Sequence, residues 1–466
     1  MINFRSNLLS YHILYLLFGI TFLLIIIENL FPTYAFKGIG LTLYVIAFLS
    51  ILYFYRFSYI SFISLSFVDI LFLLFTLLYC LRIYLSIDDG NEHYKSPYVF
   101  FIHYICYVFC PYFIFSRIDI SGIHCDKLFI PVLFSAILFL SFVLLFYLGD
   151  MFHFDGRITN MPNRISQLVS AHRFSYELIL IALLIFYLHM KNNKFFYLSF
   201  ILIFISFYIN TWGSSKGALI SGLIVSSLYF FLNYLIPFNY TKFTKYCIFI
   251  ILLALSVIVN NHSYTRLSIF VKEMTILFST STPSVPHVTY EPTTSTSIRI
   301  RTSTPSVPHV TYEATKQDLN LVDDSSTLIN NAQATEPFSK PSLPISSSSI
   351  RIHGISRALD QFKENLLFGN SLHLMPNGYH PHNFFLEVAI STGLLGLIPF
   401  SILLIIIFRK SYVIFKYYPQ YSLAPIVFLH GLINSSFSGS ISTASTMFIG
   451  IGLILSISSK INYSSL

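Results

Sequence analysis

The fold is decided by the stretch Gly378-Tyr-His-Pro-His-Asn-Phe-Phe-Leu-Glu-Val-Ala-Ile-Ser-Thr-Gly-Leu-Leu-Gly396, where a long polar segment ends and an apolar helix begins. His380, His382 and Asn383 stand at this border, and Glu387 follows on the first turns of the helix. Polar groups at a membrane boundary stay hydrated enough to react, and the helix behind them fixes their position. We therefore take this border as the candidate site.

The composition outside this stretch is that of a membrane protein. Of the 466 residues, 55% are hydrophobic and 10% are charged, whereas a soluble domain carries about 25% charged residues. A water-soluble globule is therefore excluded. The five cysteines fall in apolar segments or in a short loop, so no disulfide framework is implied. Cys106 and Cys110, one helical turn apart, are interpreted as packing residues, with a metal pair as the alternative.

About twelve segments are apolar and long enough to cross a membrane as helices. The sequence therefore predicts an all-α polytopic membrane protein with about twelve transmembrane helices. The predicted spans are 11–31, 40–56, 60–84, 97–116, 128–149, 174–190, 195–210, 217–236, 245–261, 384–408, 420–437 and 441–459. We expect the first to be a retained helix and not a signal peptide, because it lacks an Ala-x-Ala-like cleavage site.

The placement of Lys and Arg predicts the orientation of the spans. With the N-terminus inside, the basic short loops fall on one side and the acidic loop at 85–96 on the other. This predicts cytoplasmic N- and C-termini. Much of the net charge of +8 is then a topology signal, and nucleic acid is not an expected partner.

The chain divides into two groups of spans and one long outer loop. The predicted domains are 1–261 with helices 1–9, 262–383 as the loop between helices 9 and 10, and 384–466 with helices 10–12. Residues 279–349 of the loop are rich in Ser, Thr and Pro, and 280–291 recur unchanged at 302–313. We interpret this repeat as a duplication within a tolerant surface insert.

Near the end of the loop, residues 355–368 include apolar residues at helical spacing. They predict an amphipathic helix on the membrane face, with Arg351 just before it.

Several cations on the outer side resist the positive-inside bias, and Arg157, Lys216 and Arg351 are the candidates among them. An anionic ligand at the outer face would hold them there; the alternative is that they are solvated or reach lipid headgroups. With the histidines they would form a site for a lipid-linked diphosphate, where cations neutralise the leaving group. A neutral histidine would take the proton of an attacking hydroxyl. No cluster of Asp residues is present to hold Mg²⁺, so no metal is expected.

The same residues also have structural interpretations. Asn383 can be a helix N-cap with the histidine rings at headgroup level, and Glu387 can hydrogen-bond a neighbouring helix. Gly393 and Gly396 are expected to allow close helix packing.

Several other signatures are absent from the sequence. There is no Walker A motif and no His-Glu-x-x-His motif. Asp69 is the main acidic residue expected in the middle of a span, and no span carries a row of carboxylates, which argues against an ion-driven transporter.

Three segments together resemble the O-antigen ligase and polymerase family, bacterial membrane glycosyltransferases of the GT-C class. They are His382-Asn-Phe-Phe-Leu-Glu387 with Gly393-Leu-Leu-Gly396, Ser214-Ser-Lys-Gly-Ala218, and Ser349-Ile-Arg351 with Leu367-Phe-Gly369. The place of the long loop and the tail Gly431–Ser440 also fit. Lys216 stands where the family usually has Arg, so the charge is kept but the bidentate fork is lost.

The resemblance implies an undecaprenyl-diphosphate-linked oligosaccharide donor and an inverting transfer without metal or cofactor. His382 would be the base or orient the acceptor, with His380 as second candidate. Arg351, Lys216 and Arg157 would hold the diphosphate. The supporting residues would be Asn383 and Glu387.

The resemblance also sets the expected reaction and place. We expect a surface polysaccharide (O-antigen) polymerase whose acceptor is a lipid-linked repeat unit, with its site on the periplasmic face of the bacterial inner membrane. A chain-length regulator is a further candidate partner. The alternatives are O-antigen ligase, with lipid A–core as acceptor, and a related protein O-oligosaccharyltransferase. A flippase or transporter of the lipid-linked glycan is the alternative from a different class.

Overall fold

The protein is described here from a computed structural model. The structure describes residues 65–87, 97–117, 137, 140–141, 171–191, 196–213, 216–235, 239–259, 347–372, 381, 383–437, 441 and 444–461. All belong to the unit formed by Met1–Glu273 and Ser347–Leu466. The regular elements in this part of the chain are helices, without a strand among them. The spans predicted at 11–31 and 40–56 lie outside it, as do nearly all of the span at 128–149 and the Ser/Thr/Pro-rich segment up to residue 346.

Ten helices hold most of the described residues, and we label them α1 to α10 in chain order. They are α1 Phe67–Leu85, α2 Pro97–Arg117, α3 Ala171–Lys191, α4 Phe196–Gly213, α5 Lys216–Phe230, α6 Tyr240–Val259, α7 Ser347–Glu364, α8 Phe384–Tyr417, α9 Leu423–Phe437 and α10 Ser445–Lys460. A π-helical turn interrupts α2 at Ile105–Phe109, and another follows α5 at Phe231–Leu235. A short 3₁₀ turn, Pro419–Tyr421, links α8 to α9.

Four of the described helices are long and apolar enough to cross a membrane: Phe67–Leu85, Pro97–Arg117, Gly217–Tyr234 and Phe384–Tyr417. Shorter apolar helices lie in α3, α4, α9 and α10. The prediction of an all-α membrane protein is confirmed at this level.

Helices α9 and α10 approach each other closely because glycines face backbone across the contact. A Cβ built on Gly431 would overlap the backbone of Met447, and one on Gly450 would overlap the backbone of Phe428. Gly452 lies in the same way against Phe115 of α2. Small residues thus set the packing of α10 on both neighbours.

Asp69 lies at a helix end and not in mid-span as expected, because α1 begins at Phe67. Its carboxylate forms a capping box with Ser66, accepts a hydrogen bond from Tyr112 Oη at 2.8 Å, and lies 3.2 Å from Arg117 Nη2. A buried carboxylate needs such partners. This end of α1 is therefore tied to the end of α2.

Helix α7 differs from its predicted bounds at both ends. It begins at Ser347 and ends at Glu364, where 355–368 was predicted, so Arg351 lies within the helix and not before it. The first turn of α7 is rich in serine and lacks apolar periodicity, so the sequence pattern did not predict it. A turn at Asn365–Phe368 then leads to Gly369, whose φ of 67° ends the helical path.

Helix α8 is broken at Gly393, which has φ 60° and ψ −158°. Its two halves are Phe384–Thr392 and Leu394–Tyr417. Gly393 permits a close backbone approach, as expected, but its neighbour is the turn at Leu367 and Phe368 and not a helix. The atoms nearest to a Cβ built on Gly396 belong to the Thr392 side chain of its own helix.

The turn after α7 supplies hydrogen-bond partners to the break. Leu394 and Leu395 donate their N–H groups to the carbonyls of Leu366 and Leu367, at 2.8 and 3.2 Å. In return, the Ile390 carbonyl accepts from the N–H groups of Asn370 and Ser371, at 2.9 and 3.3 Å. The two segments thus complete each other's backbone hydrogen bonding.

Candidate functional site

The start of α8 is fixed by Asn383, and the predicted N-cap is confirmed. The Asn383 Oδ1 atom accepts hydrogen bonds from the N–H groups of Phe385 and Leu386 at 2.9 and 3.1 Å. Its Nδ2 atom donates to the carbonyl of Ser436 at 2.9 Å. Asn383 is therefore both a cap, as Asn often is, and a link from α8 to the end of α9.

Glu387 lies one turn further along α8 and is fully buried. Its Oε2 atom accepts a hydrogen bond from the Ile441 N–H at 2.8 Å. Glu387 was expected to hydrogen-bond a neighbouring helix. Its partner lies instead in the connection between α9 and α10. Asn383 and Glu387 thus contact the last turn of α9, at Ser436, and the connection that follows it, at Ile441.

The start of α5 lies at the same place. A Cβ built on Gly217 would overlap the Tyr176 hydroxyl of α3 and would lie 3.3 Å from Cβ of Phe437, the last residue of α9. Phe437 follows Ser436, the partner of Asn383. The beginnings of α5 and α8 are therefore both neighbours of the end of α9.

Helix α7 covers the first half of α8. Ala358 and Ile390 are completely buried against each other, with Phe362 and Leu386 packed beside them. Because Arg351 belongs to α7, the helix that carries it rests on the half of α8 that follows Asn383.

The structure describes some of the predicted site residues more fully than others. Asn383 and Glu387 are described in full. Lys216 is the first residue of α5 and Arg351 lies in α7, but their side chains are outside the described residues. His380, His382 and Arg157 lie wholly outside them.

A buried polar contact that the sequence reasoning missed lies next to this region. Ser221 Oγ of α5 and His430 Nδ1 of α9 are hydrogen-bonded at 2.6 Å, and both side chains are buried. The Tyr176 ring meets the His430 ring edge-on, with centroids 5.7 Å apart. A histidine inside an apolar span is a recognisable signal, and it could have identified His430.

Within the part of the chain that the structure describes, no three His, Cys, Asp or Glu residues lie close enough to hold a metal ion. Cys106 and Cys110 are both buried in α2. The described site offers one buried carboxylate and a capped helix start.

Comparison with protein-family models, curated proteins and solved structures gives no match for this chain. The class that the fold defines is an all-α membrane protein with a polar border at the start of α8.

Proposed function

We propose that the protein is a glycosyltransferase that polymerises a surface polysaccharide of the O-antigen type. It transfers an undecaprenyl-diphosphate-linked glycan to a lipid-linked repeat unit at the periplasmic face of the bacterial inner membrane. The proposal includes about twelve transmembrane helices, a long periplasmic loop between the ninth and tenth, and cytoplasmic termini.

The observation that carries the proposal is the meeting of three separate sequence segments. The start of α5 is far in sequence from α7 and the start of α8, and each of the three carries one element of the predicted site. Asn383, Gly217 and Ala358 bring them together through α9 and the first half of α8. Convergence of this kind supports a site better than any of the motifs alone.

In the proposed reaction, His382 takes the proton of the acceptor hydroxyl. The hydroxyl oxygen then bonds to the anomeric carbon of the donor glycan, and the bond from that carbon to the diphosphate oxygen breaks. Undecaprenyl diphosphate leaves with its negative charge, which Arg351, Lys216 and Arg157 offset. Attack from the side opposite the leaving group inverts the anomeric centre.

Asn383 and Glu387 support this reaction indirectly. They hold the start of α8 against Ser436 of α9 and Ile441 of the α9–α10 connection. His382 directly precedes Asn383 in the sequence.

A transporter of the same glycan fits the described helices less well. Asp69, the acidic residue expected in mid-span, is held at a helix end by Ser66, Tyr112 and Arg117. A carboxylate held in this way is a structural tie.

Complementation of a deletion strain tests the function. We expect wild-type protein to restore long polysaccharide chains on lipopolysaccharide gels, and His382→Ala to give at least a hundredfold less polymer, about the size of a general-base contribution. The matched control is His309→Ala in the duplicated insert, which should behave as wild type. Normal polymer from His382→Ala, at wild-type protein level, would contradict the proposal.

The deletion strain itself separates polymerase from ligase. Lipopolysaccharide with a single repeat unit indicates a missing polymerase. Polymer that accumulates on the lipid carrier indicates a missing ligase, with lipid A–core as the acceptor. Unchanged polysaccharide in the deletion strain would argue against both.

A further inference from the structure

The turn between α7 and the break of α8 exposes large apolar side chains. Leu366, Leu367 and Phe368 follow one another and are 45%, 56% and 69% exposed. Three consecutive large apolar side chains on a surface mark a contact site. The residues around this turn indicate what contacts these three side chains.

The exposed turn is continuous with the exposed apolar face of α8. Leu395, whose N–H is hydrogen-bonded to the Leu367 carbonyl, begins a row of exposed apolar residues on the second half of α8. The further members of the row are Ile398, Ile402, Ile405 and Phe408. Because α8 is long and apolar enough to cross a membrane, this row faces hydrocarbon, and the turn extends the same surface.

The depth of the turn follows from the length of that row. Phe408 precedes the exposed cation Arg409 and so marks one edge of the hydrocarbon. From Leu395 to Phe408 a helix rises about 20 Å, whereas the hydrocarbon is about 30 Å thick. Leu395, and the turn hydrogen-bonded to it, therefore lie about 10 Å inside the opposite edge.

Three backbone carbonyls of the turn are hydrogen-bonded within the protein. Non-helical backbone is tolerated at membrane depth only where its polar groups are satisfied within the protein. The carbonyls of Leu366 and Leu367 accept from α8, and the Asn365 carbonyl accepts from the Gly369 N–H at 2.9 Å.

The exposed surface of α7 is consistent with a position at the membrane surface. Ile355 and Leu359 form an exposed apolar strip on the same helix, beside an exposed charged strip with the ion pair of Asp360 and Lys363 at 3.1 Å. An interfacial helix has this division of faces.

We propose that Leu366–Phe368 is a membrane-penetrating turn that contacts lipid acyl chains, with α7 lying in the interface above it. The first half of α8, Phe384–Thr392, then rises from the depth of the turn to the membrane surface. It spans about 13 Å at 1.5 Å per residue, which places Asn383 at the boundary. This membrane contact holds whether or not the proposed reaction is correct.

Depth-dependent fluorescence quenching in the full-length protein tests the turn. The chain has a single Trp, so Trp212→Phe gives a background into which Phe368→Trp is introduced. The protein is reconstituted in phosphatidylcholine vesicles whose acyl chains carry bromine. Ile405→Trp is the hydrocarbon control, and Lys363→Trp, on the charged strip of α7, is the water control.

We expect bromolipid to quench Phe368→Trp nearly as strongly as Ile405→Trp and several-fold more strongly than Lys363→Trp, while aqueous iodide does the reverse. Leu367→Trp should agree with Phe368→Trp and serves if the latter does not fold. Quenching of both turn variants by iodide would overturn the proposal, because the turn would then lie in water. Shielding from both quenchers would also overturn it, because protein would then cover the turn.

Discussion

Replacing Gly393 by alanine should destabilise the protein through the break in α8. Alanine rarely adopts φ 60° and ψ −158°, and a non-glycine residue held there costs about 1–3 kcal/mol. The new methyl group would also overlap the carbonyl of Leu367 and lie 2.6 Å from the Phe368 nitrogen.

The hydrogen bonds across the break add to this cost. If the turn moves away, the bonds of Leu394 to Leu366 and of Leu395 to Leu367 are lost. Each contributes about 0.5–1.5 kcal/mol. The two effects together predict a loss of about 2–6 kcal/mol in the free energy of unfolding.

Unfolding of the full-length protein in mixed SDS micelles, followed by circular dichroism, measures this loss. The control is Gly222→Ala in α5. There the added methyl lies 3.0 Å from Cγ2 of Ile179 and meets no backbone, and alanine favours a helix over glycine by about 1 kcal/mol. If Gly393→Ala unfolds no more easily than Gly222→Ala, α8 is not broken at Gly393 and the turn is not held there.

Two further experiments test the buried polar contacts. Glu387→Ala should lower the free energy of unfolding by about 1–3 kcal/mol because it leaves the Ile441 N–H without its acceptor, whereas Glu387→Gln keeps an acceptor and should cost clearly less; equal losses would contradict the contact. A double-mutant cycle with His430→Phe and Ser221→Ala should show a coupling of about 0.5–3 kcal/mol, and strictly additive losses would show that the two side chains do not interact.

Features that depend on local sequence could be predicted. The spans at 97–116 and 174–190 agree with α2 and α3 to within a few residues, because apolar length is a local property. The start of α8 was also predictable, since Asn383 at the end of a polar segment is a cap signal.

Features that depend on distant partners could not be predicted. The break at Gly393 exists because the turn at Leu366–Phe368 satisfies its backbone, and the sequence shows only an apolar helix with a glycine. Asp69 was expected in mid-span because hydropathy extended the span to residue 60. The capping box with Ser66 places it at the helix end.

The candidate site also combines local features that could be predicted with distant partners that could not. Its residue types and their border position were visible in the sequence. The partners of Asn383 and Glu387, Ser436 and Ile441, lie more than fifty residues later in the chain. The roles of His382, Arg351 and Lys216 remain predictions that depend on the experiments above.

The pairing of the Leu366–Ser371 segment with the break of α8 also has a consequence for the order of folding. The segment leaves the ribosome before α8 does, so both halves of the pair are present as soon as Leu395 emerges. Contacts between nearby parts of a chain form faster than distant ones. The bent form of α8 can therefore be set during synthesis, before α9 and α10 exist to pack against it.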